Sequence, residues 1–357
     1  MPMSRTTQRG IALYKPVALV ACLTLIAASC GGNHAPVFPS SSPQMVFMLP
    51  TGGGFPPVPG PSNIPWEITV MNLDGSGFRQ LTNDGKFKFL PHFSPDGTKI
   101  VYTKYAVGGY GSPNANPDLF VYDLPSAQET RLTFNQNSIQ GVWSPDGQRI
   151  AYGTYQNNAI FLMSADGSNP QLIAQASGAS DDLHWGDFAW SSDNWILFSV
   201  AQITNSCFKV RLDKMRPDGT SRTQVTDGGP NCTPPGMKQS GEADPGFSPD
   251  GQTIFSSRGF PVPPADGPPG STERKLYKFS SDAWFPGKPA VDLSLPSEPS
   301  CIEGVPKVSP NGQQVLLFRI CFDTGSPVGG IYLTDTNGSY RRFVTQGFGA
   351  DWNPVAK

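Results

Sequence analysis

One short segment keeps returning along this chain. Phe93-Ser94-Pro95-Asp96-Gly97 precedes the run Lys99 to Thr103, Trp143-Ser144-Pro145-Asp146-Gly147 precedes Arg149 to Gly153, and Phe247-Ser248-Pro249-Asp250-Gly251 precedes Thr253 to Ser257. Two variants are Trp190-Ser191-Ser192-Asp193-Asn194 before Ile196, and Val308-Ser309-Pro310-Asn311-Gly312 before Gln314. A last copy, Trp352-Asn353-Pro354, ends near the C-terminus. Copies recur every 44 to 61 residues. Pro presets φ at the first central position of a turn, Asp or Asn can bond backbone groups two residues on, and Gly accepts a positive φ. An aromatic residue just before such a turn and a β-branched run just after it read as the two strands of a hairpin. The 39 Gly and 37 Pro of the 357 residues suit many short strands joined by turns.

Each copy continues into a third strand, as at Ile68 to Asn72, Leu119 to Asp123, Ile160 to Ser164, Val210 to Met215, Leu276 to Phe279 and Ile331 to Asp335. Turns such as Asp74-Gly75, Asp166-Gly167, Asp218-Gly219 and Asn337-Gly338 follow. A fourth strand then closes on Leu81-Thr82, Leu132-Thr133, Val225-Thr226 or Val344-Thr345, with Leu172-Ile173 and Leu293-Ser294 as degenerate forms. The second-strand type is complete only if Met45 to Leu49 is counted, while Asp351-Trp352 is a first strand without a partner. The expectation is an all-β, six-bladed propeller of four-stranded antiparallel blades over residues 44–357, closed by pairing the N- and C-terminal strands so that no blade edge is left ragged. The Ser-Pro-Asp-Gly turns at 94, 144 and 248 and the Leu-Thr endings at 81 and 132 resemble the propeller of the TolB-like and WD40-like proteins, over about residues 44 to 354. The resemblance implies the fold. It says little of function, because these residues build blades.

The N-terminus predicts export. Arg5, Arg9 and Lys15 precede an uncharged, mostly apolar run from Pro16 to Ser29, which is too short to span a bilayer comfortably and fits a signal-peptide core. Ala27-Ala28-Ser29-Cys30, followed by Gly31-Gly32, resembles a bacterial lipobox, although Ala27 stands where Leu is usual. The expected organisation is a signal peptide over 1–29, lipid attachment at Cys30 and a Gly/Pro/Ser-rich tether over 30–43. The lipobox likeness implies several acyl chains, as stable anchoring requires. Ordinary cleavage nearby, releasing a soluble product, is the alternative. The protein is expected in the bacterial cell envelope, facing the periplasm or the exterior.

Four further cysteines remain beyond Cys22 and Cys30. Cys301 and Cys321 lie equally far from Asn311, the centre of one hairpin, and Cys207 and Cys232 are nearly symmetric about Asp218-Gly219. Opposed cross-strand positions bring Cβ atoms close enough to bridge, so Cys301–Cys321 and Cys207–Cys232 are the expected disulfides.

The search for chemistry is mostly negative. Net charge is −2, and the three basic residues at the N-terminus belong to the signal, so the body gives no electrostatic reason to bind nucleic acid. His34, His92 and His184 form no metal-binding pattern, and no Cys-x-x-Cys occurs. No Gly-x-Ser-x-Gly elbow occurs, so a peptidase is not indicated, and no Gly-x-x-x-x-Gly-Lys-Ser/Thr loop is present either. No cofactor or metal is implied. Counting back four to six residues from each turn serine gives Gln140, Asp187, Glu242, Asp244 and Glu303, a candidate channel-rim set that could bind a cation or a basic peptide group; a solvated acidic rim is the bland alternative. Insertions at Pro50 to Trp66, Tyr105 to Asp118, Cys232 to Asp244 and Gly259 to Arg274 are candidate binding loops, with Phe55, Trp66, Tyr105 and Tyr110 offering aromatic contact or, more blandly, local packing. The leading reading is a lipid-anchored interaction module for an envelope protein, peptide or glycan, without catalysis. The alternatives are a polysaccharide lyase or hydrolase using rim carboxylates, and a purely structural envelope protein.

Overall fold

The computed structural model describes residues 42–356 except 52–63, 110–111, 113, 155–157, 177–180, 184–187, 205–206, 228–239, 262–271, 283–289, 296–300 and 322–328. The described secondary structure is all strand, arranged as successive antiparallel meanders. The first comprises β1 (Met45–Pro50), β2 (Trp66–Met71) and β3 (Arg79–Gln80). Next come β4 (Phe87–Phe93), β5 (Lys99–Tyr105), β6 (Pro117–Asp123) and β7 (Gln128–Arg131), then β8 (Ser138–Trp143), β9 (Arg149–Thr154), β10 (Ala159–Ser164) and β11 (Gln171–Gln175). In the following sheet β12 (Asp181–Leu183) and β13 (Ala189–Trp190) share the first position, beside β14 (Ile196–Thr204), β15 (Cys207–Met215) and β16 (Thr223–Gln224). Then come β17 (Ser240–Phe247), β18 (Thr253–Pro261), β19 (Thr272–Ser280) and β20 (Val291–Asp292). The last sheet is β21 (Cys301–Val308), β22 (Gln314–Cys321), β23 (Gly330–Asp335) and β24 (Arg342–Thr345). The C-terminal strand β25 (Phe348–Trp352) returns to the beginning, where Met45 opposes Trp352 and Val46 opposes Asp351, so the first sheet is completed by the far end of the chain.

The turn residues form the same structure at each copy. Ser144 Oγ donates to Asp146 at 2.5 Å and accepts from the Arg149 N–H at 2.9 Å, while Asp146 also accepts from the Gln148 N–H at 3.0 Å. The set recurs at Ser94 and Asp96, at Ser248 and Asp250, and at Ser309 and Asn311, and its two bonds to the Ser hydroxyl recur at Ser191 with Asp193 and Trp195. The hydrogen bond from the Ser144 hydroxyl, and then that from the Gln148 N–H, hold the Asp146 carboxyl below the usual range, and Asp250 is lowered in the same way by Ser248 and Gln252. These acids are local turn braces. The Leu-Thr endings are equally structural. Thr82, Thr133 and Thr226 accept, on Oγ1, the backbone N–H of Ile68, Leu119 and Leu212 respectively, tying the end of the fourth strand to the third.

Alternation along the second strands explains the core. Ile100 and Tyr102 pack with Val46, Ile68 and Val70 of the preceding sheet, whereas Val101 packs with Ile150 and Tyr152 of the next. Ala151 and Ile160 meet Ile196 and Phe198, and Leu197 and Leu212 meet Ile254 and Phe279. Phe255 and Leu276 meet Val315, and Leu316 and Ile331 meet Met45, Phe47 and Trp352. Each sheet is therefore apolar on both faces because it is sandwiched between neighbours. Each such side chain contributes about 1.5–3 kcal/mol on full burial. Trp66 and Tyr105 are fully buried and belong to this core. They are not loop contact residues, because both lie inside paired strand ends, where Trp66 opposes Pro50 and Tyr105 opposes both Phe87 and Pro117. Phe55 and Tyr110 lie outside the described residues.

Cys301 and Cys321 are direct cross-strand partners in β21 and β22 and are joined by a disulfide with Cα atoms 4.1 Å apart. The expected Cys207–Cys232 bridge lies outside the described residues, as do Cys30, the signal segment and most of the tether.

Candidate functional site

The first strand of most sheets carries a bulge at one fixed place. Leu90, Gln140, Asp244 and Val305 have φ of 46°, 56°, 51° and 52°, and Gly349 has 61°. Each stands four residues before the turn Ser, or before Asn353 in the case of Gly349, and the strand register shifts at the same point. A bulge bends its strand and re-aims the residues beyond it. Neighbouring sheets hold the kinked backbone. The Leu90 N–H points to Met48 Sδ at 3.2 Å, and the Gln140 N–H donates to Thr103 Oγ1 at 2.8 Å.

Beyond the bulge, the residues two before each turn come together. His92, Val142, Ala189, Gly246, Lys307 and Asp351 line one cavity of about 370 Å³. The residues one before each turn, Phe93, Trp143, Trp190, Phe247, Val308 and Trp352, complete its wall, with the turn prolines at its mouth. Every sheet contributes to it. The aromatic wall is fixed by hydrogen bonds, since Trp143 Nε1 donates to the His92 carbonyl at 3.3 Å and Trp352 Nε1 to the Lys307 carbonyl at 2.8 Å. Lys307, Asp351 and His92 stand on the successively packed strands β21, β25 and β4, and Val142, Ala189 and Gly246 on β8, β13 and β17, so one arc of the wall carries polar residues and the other small or apolar ones. His92 Nδ1 lies 3.4 Å from Asp351 Oδ2, which also accepts the Phe93 N–H at 3.0 Å. Such a cup can take an extended chain or a small ring against aromatic faces while offering polar groups on one side.

Of the residues counted four to six before the turns, Gln140, Asp244 and Glu303 fall elsewhere. Gln140 is the bulge residue and is 1% exposed. Asp244 is the equivalent bulge residue, and Ser257 Oγ donates to its Oδ2 at 3.4 Å. Glu303 is buried, and Arg341 donates to both of its oxygens, from Nε at 2.6 Å and Nη2 at 2.8 Å, while Arg319 Nε lies 3.0 Å away. Its charge is compensated within the protein. Asp187 lies outside the described residues and Glu242 outside the described side chains. Sequence counting passed over Lys307 and Asp351; the signal was the same offset method carried two residues closer to the turn.

No family model matches the chain. The Tol-Pal system protein TolB of Anaeromyxobacter dehalogenans is 31% identical over 110 residues, which are 30% of this chain and 24% of that protein. The chain thus matches about a quarter of the length of that curated relative. Among solved structures, TolB from Acinetobacter baumannii is similar with a TM-score of 0.59 and 17% identity, over 88% of this chain and 67% of the other. An oligogalacturonate lyase in complex with manganese is similar with a TM-score of 0.51 and 14% identity, over 85% and 74% of the two chains. At these identities the structural likeness concerns the fold. On its repeats, its antiparallel meanders and these partial matches, the chain is similar to the TolB-like β-propeller proteins.

Proposed function

We propose that the chain is an exported, lipid-anchored, six-bladed propeller that captures an envelope protein or peptide in its axial cup without turning over a substrate. The observation that carries this reading is the cup itself, an aromatic-walled cavity to which every sheet contributes the two residues before its turn. Aromatic side chains supply large contact area at low entropic cost, which suits recognition of a chain segment. Ring closure is supported by the contacts among first strands. They run from β4 to β8, β13, β17, β21 and β25, and from β25 back to β4. The packing of Met45 and Phe47 on Leu316 and Ile331 supports the same seam. The Tol-Pal name of the curated relative supports a partner in the envelope. The basic and apolar N-terminal segment ending at Cys30 supports export and anchoring over 1–29, with residues 30–43 as tether.

Photo-crosslinking in cells tests the reading. A photoreactive residue replacing Ser192, exposed at the cup, should trap a protein or peptide, while one replacing Gln128 on the outer strand β7 should not. Equal capture from both positions, or capture of glycan from Ser192, would retire the protein-binding assignment. Cys30→Ala should release the protein from membranes, and unchanged fractionation would retire the anchor.

A further inference from the structure

The Cys301–Cys321 bridge joins the ends of β21 and β22 farthest from their Ser309 turn. Its two halves have different surroundings. Cys301 is 6% exposed, and Arg319 Nη2 points to its Sγ at 3.0 Å, whereas Cys321 is more accessible. Arg319 is held in a cluster. Its Nε lies 3.0 Å from Glu303, which also receives the two bonds from Arg341. A disulfide sulfur is a weak acceptor and a thiolate a strong one, so the Arg319 contact strengthens when the bridge opens.

We propose that this bridge is a thiol-exchange site of fixed polarity, at which an incoming thiolate attacks Cys321 and Cys301 leaves as a thiolate held by Arg319. The attacking sulfur's electron pair forms the new S–S bond to Cys321 Sγ. The Cys301–Cys321 bond breaks with its pair retained on Cys301 Sγ. The co-reactant is a low-molecular-weight or protein thiol. A second thiolate then attacks the mixed disulfide at the incoming sulfur, releasing the Cys321 thiolate and oxidising two thiols to one disulfide. Exchange speeds up as the leaving thiol becomes more acidic, which is what the Arg319 contact provides.

The experiment treats the oxidised protein with reduced glutathione, quenches with acid, blocks free thiols and maps the peptides by mass. Glutathione should sit on Cys321 in about tenfold or greater excess over Cys301. In Arg319→Met that excess should collapse to about twofold and exchange should slow several-fold, with Arg319→Lys intermediate. A thermal melt of each oxidised variant separates a lost contact from a lost fold. The wild-type distribution decides even if the variants fail to fold. Equal labelling of the two cysteines, labelling chiefly on Cys301, or no reaction in the folded protein where the denatured one reacts readily would each overturn the proposal.

Discussion

Lys88 has no exposed surface, yet its ammonium is solvated by protein alone. Its Nζ lies 2.5 Å from Glu67 Oε2 and also contacts Asp84. Asp84 in turn meets Lys104 at 2.5 Å, and Lys104 meets Glu129 at 2.6 Å. A buried charge survives only when paired in this way. Burial pushes the Asp84 carboxyl up, but the bonds from Lys104 and Lys88 outweigh it and hold the group down to about 2. The sign follows from linkage. An aspartate in the unfolded chain titrates near ~3.9, so Asp84 contributes stability above that pH and loses it as pH falls toward about 2. Asp123, lowered to about 2 by the hydrogen bond from Lys99 and then by Ser126, adds in the same window. Urea midpoints of the native protein should therefore fall between about pH 4 and pH 2, and Asp84→Asn should flatten that slope while lowering stability at pH 7. An identical slope in the variant would remove Asp84 from the account. Glu303 illustrates why charged sites were hard to read from sequence. Spacing placed it correctly on a first strand, but its fate depends on Arg341, which arrives from 38 residues away.

Turn glycines at the element scale do more than turn the chain. In the hairpin between third and fourth strands, Gly219 has φ of 80°, and a Cβ there would lie 2.4 Å from the Ile173 carbonyl oxygen of the preceding sheet. Gly75 has φ of 85° at the matching place in the first sheet, but nothing lies within 4 Å of its Cβ position. Both positions carry the backbone penalty of an L-residue at positive φ, about 1 kcal/mol or more. Only Gly219 also carries a collision with immobile backbone. Gly219→Ala should accordingly cost at least about 2 kcal/mol more than Gly75→Ala in denaturant unfolding. Equal losses would mean that adjacent sheets slide apart freely at these turns. The hairpins, their turns and the Cys301–Cys321 register were legible because a period of two and a Ser-Pro-Asp-Gly turn both act within a few residues. The bulges at Leu90, Gln140, Asp244 and Val305 were not. Unlike residues occupy that position, and a neighbouring sheet supplies the group that holds it, as Thr103 does for Gln140. The cup was hidden for the same reason, since its wall draws only two residues from each repeat.

At the scale of the whole molecule, Gln44 and Asn353 stand where the other sheets have a turn. The Asn353 N–H donates to the Gln44 carbonyl at 2.9 Å, just as the Ser94 N–H donates to the Lys99 carbonyl at 2.8 Å. In the Ser94 copy Pro95-Asp96-Gly97-Thr98 spans that gap; between Asn353 and Gln44 the chain is interrupted instead. If the sheets close into a ring, the first sheet differs from the others only in lacking this covalent link, and the position of the termini is arbitrary to the fold. Joining Asn353 to Gln44 through Pro-Asp-Gly-Thr and opening the chain between Asp250 and Gly251 should then give a permuted protein that folds cooperatively. Its melting temperature should lie within about 5 °C of the original, since one four-residue turn has been exchanged for another. Removing residues 348–356 without permutation should instead expose the edge of β1 and the faces of Met45 and Phe47, costing far more. A permuted chain that melts no higher than the truncated one would mean that β25 and β1 pair without shutting a ring, and the axial cup would lose the sheet that supplies Asp351 and Trp352.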